Sequence, residues 1–203
     1  MDEQTLKERA KYDLIWSQYP SYRDCSPGEV FTSFFLQYFE KEIEEGQTLI
    51  DFGSGTGRAC RAFLAKNLKV SLVDFSSYAL DEEIQHLTTL CPDIVSFTEA
   101  CLWKLPKNLL SADWIYCCDV LEHIPTNRID QVLKGMASRM KKGGYLSICL
   151  QEDLSGKQLG FPLHLTIKDK HWWLQRLSRY FTVLKEEPIL EGINLNCLIG
   201  PLK

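Results

Sequence analysis

The residues that could do chemistry cluster first around Leu49-Ile50-Asp51-Phe52-Gly53-Ser54-Gly55-Thr56-Gly57-Arg58. An apolar run leads into glycines there, and a helical pattern follows. Glycines let a chain turn tightly and approach a ligand closely. A helix start also offers unpaired N–H donors. The spacing is G-x-G-x-G with Arg at position 58, so it fails the G-x-G-x-x-G dinucleotide fingerprint, which argues against a nicotinamide-dependent dehydrogenase. No Gly-Lys-Ser/Thr follows, so it is not a Walker loop. Asp51 stands directly before the glycines, where a carboxylate repels a pyrophosphate and suits a cation or an amino group. Asp74 closes the next apolar run, Val70-Ser71-Leu72-Val73, and an acid there can accept both hydroxyls of a ribose. Taken singly, these are a tight turn and a helix N-cap. In register, they describe a pocket for a nucleoside with a positively charged tail.

A second cluster follows the run Trp114–Cys117, expected as the strand beside the glycine loop at a topological switch point, where ligands gather outside strand carboxyl ends. Cys118, Asp119, Val120, Leu121, Glu122 and His123 would then face the ligand cleft, although Glu122 and His123 also read as a satisfied helix-start pair. Asp119-x-x-Glu122-His123 carries a weak divalent-ion reading. Adjacent residues seldom converge on an ion, and a hard one needs more oxygens, so no metal is expected. The connection 151–165 holds Gly156, Gly160 and Pro162, and loops of this length often line acceptor sites. His164 is placed to take a proton from an acceptor hydroxyl, since imidazole titrates near neutrality; the alternative is a local brace for the next helix.

These residues need elements to hold them. Helical spacing covers 4–19, with Leu6, Ala10, Leu14 and Ile15 as its apolar face. Ser26-Pro27-Gly28-Glu29 reads as a capping box opening a helix that Gly46 ends. Short apolar runs at Leu49–Phe52, Val70–Val73, Val95–Thr98, Trp114–Cys118 and Tyr145–Leu150 alternate with helices starting near Arg58, Ser77 and Thr126. The last carries Ile129, Val132, Leu133, Met136 and Met140 on one face and stops at Gly143-Gly144. A helix over Thr166–Arg179 precedes two strands, Phe181–Glu186 and Asn194–Ile199, turning at Glu191-Gly192. Continuous apolar strands between helices indicate a parallel sheet covered on both faces, with the final hairpin at its edge. Trp172 and Trp173 are expected to pack the late helix onto the sheet.

With 203 residues, 45% hydrophobic and 25% charged, the composition excludes a disordered or fibrous chain. The net charge of −4 argues against general nucleic-acid binding. Eight cysteines, none in C-x-x-C spacing, make a structural zinc site improbable. No signal peptide or membrane span is read, and a reducing, cytoplasmic setting is expected.

The motifs LIDFGSGTGR, VSLVD, FTEACLWKLP, DWIYCCDVLEHIP and LKKGGYLSICL, spread over roughly residues 45–150, resemble the class I S-adenosylmethionine-dependent methyltransferases. The resemblance implies a single Rossmann-like α/β domain: a seven-stranded, mostly parallel sheet with an antiparallel last strand. An N-terminal helix and lid segment over 1–27 would precede the methyltransferase domain over 28–203. Gly53, Ser54, Gly55 and Gly57 would line the methionine part of S-adenosyl-L-methionine, with Asp51 near its amino group. Asp74 would hold the ribose and Phe75 flank the adenine. Ala100, Cys101 and Leu102 would offer backbone groups to the adenine, Cys101 standing where relatives often have an acid. The Cys118 carbonyl would receive the ammonium, and His123 would bond the cofactor or shape its pocket. Related O-methyltransferases with E-x-x-E-H bind a divalent ion there. Extensions in this fold commonly cover the cofactor, so Tyr12, Tyr22 and Arg23 are candidate lid contacts, Tyr12 or Arg23 meeting its carboxylate, with Trp16 walling the acceptor pocket.

The expected activity is in-line methyl transfer to an oxygen or nitrogen of a small molecule, yielding S-adenosyl-L-homocysteine, with His164 and His123 as catalytic candidates. The alternatives are a non-catalytic S-adenosylmethionine-binding protein, or a methyltransferase acting on a nucleotide or modified base.

Overall fold

The computed structural model describes all residues except 1, 25, 154, 155, 157, 158 and 203. Cys25 and part of the 151–165 connection therefore lie outside the described residues. The chain divides into two compact units, 1–109 and 110–203.

The first unit runs α1 (Glu3–Gln18), α2 (Pro27–Tyr38), β1 (Thr48–Phe52), α3 (Cys60–Leu64), β2 (Lys69–Asp74), α4 (Glu82–Leu90) and β3 (Val95–Glu99). β1 pairs with β2 and β2 with β3, both parallel, with Asp51 opposite Leu72 and Asp74 opposite Glu99. The second unit runs β4 (Ala112–Cys118), α5 (Ile129–Ala137), β5 (Met140–Cys149), α6 (Lys170–Leu177), β6 (Phe181–Glu187) and β7 (Asn194–Pro201). β4 and β5 are parallel, while β7 runs antiparallel to both β5 and β6. The strands form one seven-stranded sheet in the order β3-β2-β1-β4-β5-β7-β6. This is the expected mostly parallel sheet with a reversed last strand. Strands inside the order are buried along nearly their whole length, and β3 and β6 at the ends are not. That is the burial of a sheet covered on both faces. α5 buries Ile129, Val132, Leu133 and Met136, and α6 buries Trp173, as expected.

Several local readings need correction. α1 docks through Ile15 as expected, but not through Ala10, Leu6 or Leu14, the last two 54% and 45% exposed; Thr5 and Glu8 are buried in their place. The capping box at Ser26 does not form: its hydroxyl lies 3.2 Å from Thr56 Oγ1 instead. α2 ends at Tyr38, well before Gly46. Thr166 does not start a helix, because its hydroxyl donates to the Ile124 carbonyl; Asp169 caps α6 by accepting from the Trp172 amide. Met140 and Gly143-Gly144 belong to β5, not to the end of α5. Gly144 sits so close to Ile115 of β4 that a Cβ there would lie 2.4 Å from the Ile115 carbonyl oxygen. Glycine reads as a stop in sequence; here it admits a close strand approach.

Candidate cofactor site and acceptor-side cluster

In the first unit the glycine loop is fastened to β2. The Gly53 and Ser54 amides donate to the Val73 carbonyl at 2.7 and 3.2 Å, and the Gly57 amide donates to the Ser54 carbonyl. Gly55 N–H donates to Asp74 Oδ2 at 2.8 Å. Gly53, Gly55 and Gly57 all take positive φ, which explains the residue type at each. Spent on the protein itself, these four amides form no nest for a phosphate. Two buried carboxylates, Asp51 and Asp74, accompany the loop. Asp51 is 3% exposed, and burial, with the neighbouring Asp74 charge adding to it, pushes its carboxyl up to about 8. Burial also raises Asp74, opposed by amide hydrogen bonds from Ser76, Gly55 and Phe75. The buried Ser54 hydroxyl has no partner and is free to serve a ligand.

A clamp closes over this loop. The Trp16 indole lies on Gly55, 3.6 Å from where a Cβ would stand, with Tyr22 edge-on at 4.9 Å. The Arg23 guanidinium faces Trp16 at 5.6 Å and donates to the carbonyls of Tyr78 and Ala79. Arg58 donates to Asp81 at 2.5 Å and to the Arg23 carbonyl at 3.0 Å. Ser76 donates to Asp13 of α1 at 2.5 Å. Arg58, the residue that breaks the dinucleotide fingerprint, thus locks the N-terminal segment down. Phe75, Ala100 and Cys101 line one cavity of about 250 Å³ with Thr5, Arg9 and Lys104, a size that suits a heterocycle more than a whole nucleoside.

In the second unit, Asp119 follows β4 with φ 51°, an uncommon backbone for aspartate. Its carboxylate accepts from Ser147 Oγ at 3.2 Å and Asn194 Nδ2 at 3.1 Å. Burial raises it, partly offset by these bonds and by His164. Glu122 is fully buried and lies well above the usual carboxylate range, from burial first and Asp119 second. Its main-chain carbonyl receives the Leu165 and Thr166 amides, and its Oε1 receives the Cys149 amide at 3.0 Å. His123 and His164 meet edge to face, 4.7 Å between ring centres. The Asp119/Glu122/His123 trio does not assemble around one point: Asp119 is tied to β5 and β7, and His123 Nδ1 lies 3.1 Å from the Leu163 carbonyl. Glu122 instead gathers with Cys149 and His164, one donor atom of each within 4.8 Å of the others.

The methyltransferase domain family model matches residues 50–146. Magnesium protoporphyrin IX methyltransferase from Synechocystis shares the fold at 15% identity and TM-score 0.72, covering 96% of this chain and 99% of that one. So do 1,6-didemethyltoxoflavin-N1-methyltransferase from Burkholderia thailandensis (15%, TM-score 0.73, 96% and 87%) and an S-adenosylmethionine-dependent methyltransferase from Clostridium acetobutylicum (12%, TM-score 0.69, 96% and 99%). Among curated proteins none matches the sequence. Residues 50–146 match the methyltransferase domain family, and the fold is that of S-adenosylmethionine-dependent methyltransferases.

On this fold the residues read from sequence fall into two sets. Asp51, Gly53, Ser54, Gly55, Gly57, Asp74, Phe75, Ala100 and Cys101 gather in the first unit; Leu102 beside them is 6% exposed and opens a single turn. Cys118, Asp119, Val120, His123 and His164 stand in the second. Trp16 rests on the glycine loop. Tyr12 is half-buried on α1 with Lys11 5.6 Å from its ring. The Arg58–Asp81–Arg23 clamp and the Ser76–Asp13 link escaped the sequence reading, although Arg58 was conspicuous there.

Proposed function

We propose that this methyltransferase moves the methyl group of S-adenosylmethionine to an oxygen or nitrogen of a small molecule, leaving S-adenosylhomocysteine. The observation that carries the reading is the first-unit pocket: spent loop amides, two buried carboxylates and an adjoining cavity at Phe75, Ala100 and Cys101 suit a cationic nucleoside. The residues present fit the cofactor, down to the unpartnered Ser54 hydroxyl. When bound, S-adenosylmethionine supplies a methyl group activated by its sulfonium. Asp74 would accept the ribose hydroxyls, Asp51 the ammonium, and Phe75 would flank the adenine. Arg23, committed to the 78–81 segment, would hold the lid while Trp16 and Tyr22 exclude water. Cys118, Asp119, Val120 and His123 would complete the cofactor contacts from the carboxyl end of β4. His164 would take the acceptor proton, with His123 packed against it. Support for a small acceptor comes from the acidic charge balance and from the porphyrin and toxoflavin named for two structural neighbours. No helix is long and apolar enough to cross a membrane among the described residues. Free cysteines at the seven described positions suit a reducing cytoplasm.

The direct test incubates the enzyme and isotopically labelled S-adenosylmethionine with a metabolite extract. A labelled small molecule and S-adenosylhomocysteine are expected. Cofactor uptake with no product at all would make the protein a binding module, and label in nucleic acid would move the acceptor class.

Two further outcomes are expected. Asp74→Ala weakens cofactor binding by about 1–3 kcal/mol, or roughly 5–150-fold in Kd, because the hydroxyls lose a charged acceptor. Calorimetry reads this, and an unchanged Kd refutes the assignment. Asp51, raised to about 8, is mostly protonated in the free enzyme at neutral pH. An ammonium beside it favours the carboxylate, so binding releases a proton. Cofactor affinity therefore rises with pH up to about 8, by at most about tenfold per pH unit, and flattens above. Asp51→Asn removes the slope; a slope that survives it would assign the proton elsewhere.

A further inference from the structure

Glu122, Cys149 and His164 reach one point from three stretches of the second unit: the turn after β4, the end of β5 and the loop ahead of α6. One donor atom of each lies within 4.8 Å of the other two. Glu122 and His164 are oriented for that meeting, while the Cys149 thiol lies 3.9 Å from the Gln151 carbonyl oxygen. Glu122 is fully buried; its Oε1 is held by the Cys149 amide, and its Oε2 has no partner. His164 Nδ1 lies 2.6 Å from the Gln151 carbonyl, which only an N–H can satisfy, so the lone pair sits on Nε2. A ligating histidine is commonly fixed through its other nitrogen in this way. The edge-on His123 ring, held by the Leu163 carbonyl, fixes the imidazole plane.

We propose that these three side chains form a binding site for a borderline-soft divalent cation of the zinc class. One thiolate, one imidazole and one carboxylate match zinc, whereas calcium and magnesium call for oxygen ligands throughout. Tetrahedral donors about 2.0–2.3 Å from zinc stand roughly 3.4–3.8 Å apart, so the side chains need close by only about 1 Å. On binding, the Cys149 thiol releases its proton to solvent, and the Glu122 carboxyl, which burial holds in its protonated form beyond the usual carboxylate range, releases its own. The two anionic ligands then balance the ion's charge, and Oε2 gains its missing partner. Three protein ligands leave a fourth position for water or a ligand, the pattern of a catalytic rather than a structural site. The ion takes the His164 lone pair, so the metal-bound form and the form able to remove an acceptor proton exclude each other. The site itself stands independently of the methyl-transfer reading.

The test uses the full-length reduced protein and Co²⁺ as probe. One equivalent is expected to give a thiolate-to-cobalt charge-transfer band, which Zn²⁺ then abolishes by displacement. Cys149→Ser loses the band, His164→Ala weakens binding by about tenfold or more, and the exposed Cys91→Ser leaves it unchanged. Both site variants replace only partly exposed side chains. No band in the wild type, or a band undiminished in Cys149→Ser, overturns the proposal.

Discussion

In metal-free assays, His164→Ala lowers turnover on a hydroxyl acceptor by about 10²–10⁴-fold, the usual worth of a positioned general base. The hydrogen bond from Nδ1 to the Gln151 carbonyl leaves Nε2 as the proton acceptor, and His123 holds the ring edge-on. Alanine removes that lone pair and leaves the residues assigned to the cofactor in place, so kcat falls while cofactor affinity stays nearly unchanged. The size of the loss also sorts acceptors. A nitrogen acceptor held in its neutral form needs no base and would lose far less. Measured kcat and KM on the identified acceptor decide the matter; wild-type turnover on a hydroxyl acceptor would remove His164 from catalysis.

Gly144→Ala is expected to destabilise the chain strongly through a single added methyl group. Its Cβ would meet the Ile115 carbonyl oxygen at 2.4 Å and Ile115 Cγ1 at 2.5 Å. Neither strand can easily yield. Gly144 pairs with Ile115 of β4 on one side and with Ile199 of β7 on the other, and all of these residues are buried. Overpacking a backbone pinned on both sides costs about 3 kcal/mol or more, which lowers Tm by roughly 6–12 °C in a chain of this size. Gly46→Ala is the control: it also loses a glycine, at φ 80°, but nothing lies within 4 Å of its Cβ, so it carries backbone strain of only about 1 kcal/mol. Thermal melts compare the two, and equal shifts would mean that the strand contact is not the cause.

The parts legible in sequence were those whose chemistry is local. A glycine loop between two apolar runs and an acid at the second run's tip specify their own geometry, and the structure has Asp74 receiving the Gly55 amide. The face of α5 was equally plain, because four large apolar residues recur at helical spacing. What failed depended on distant partners. α1 docks through Thr5 and Glu8 because Thr5 receives the Trp103 indole N–H and Glu8 pairs with Lys11, and the exposed Leu6 and Leu14 misled the periodicity. The end of α5 was misplaced because Gly143-Gly144 looks like a helix stop, while its reason lies on β4. Cys149 drew no notice near Glu122 because 27 residues separate them, and only the course of β5 closes that gap.

The self-bonded glycine loop has a last consequence for life among abundant nucleotides. ATP and the nicotinamide dinucleotides carry the same adenosine, yet their polyphosphate tails would find no available donor on the Gly53, Ser54, Gly55 or Gly57 amides. If the loop holds the proposed cofactor, discrimination against these competitors follows from the lack of donors for an anion, whatever affinity the adenosine moiety itself contributes.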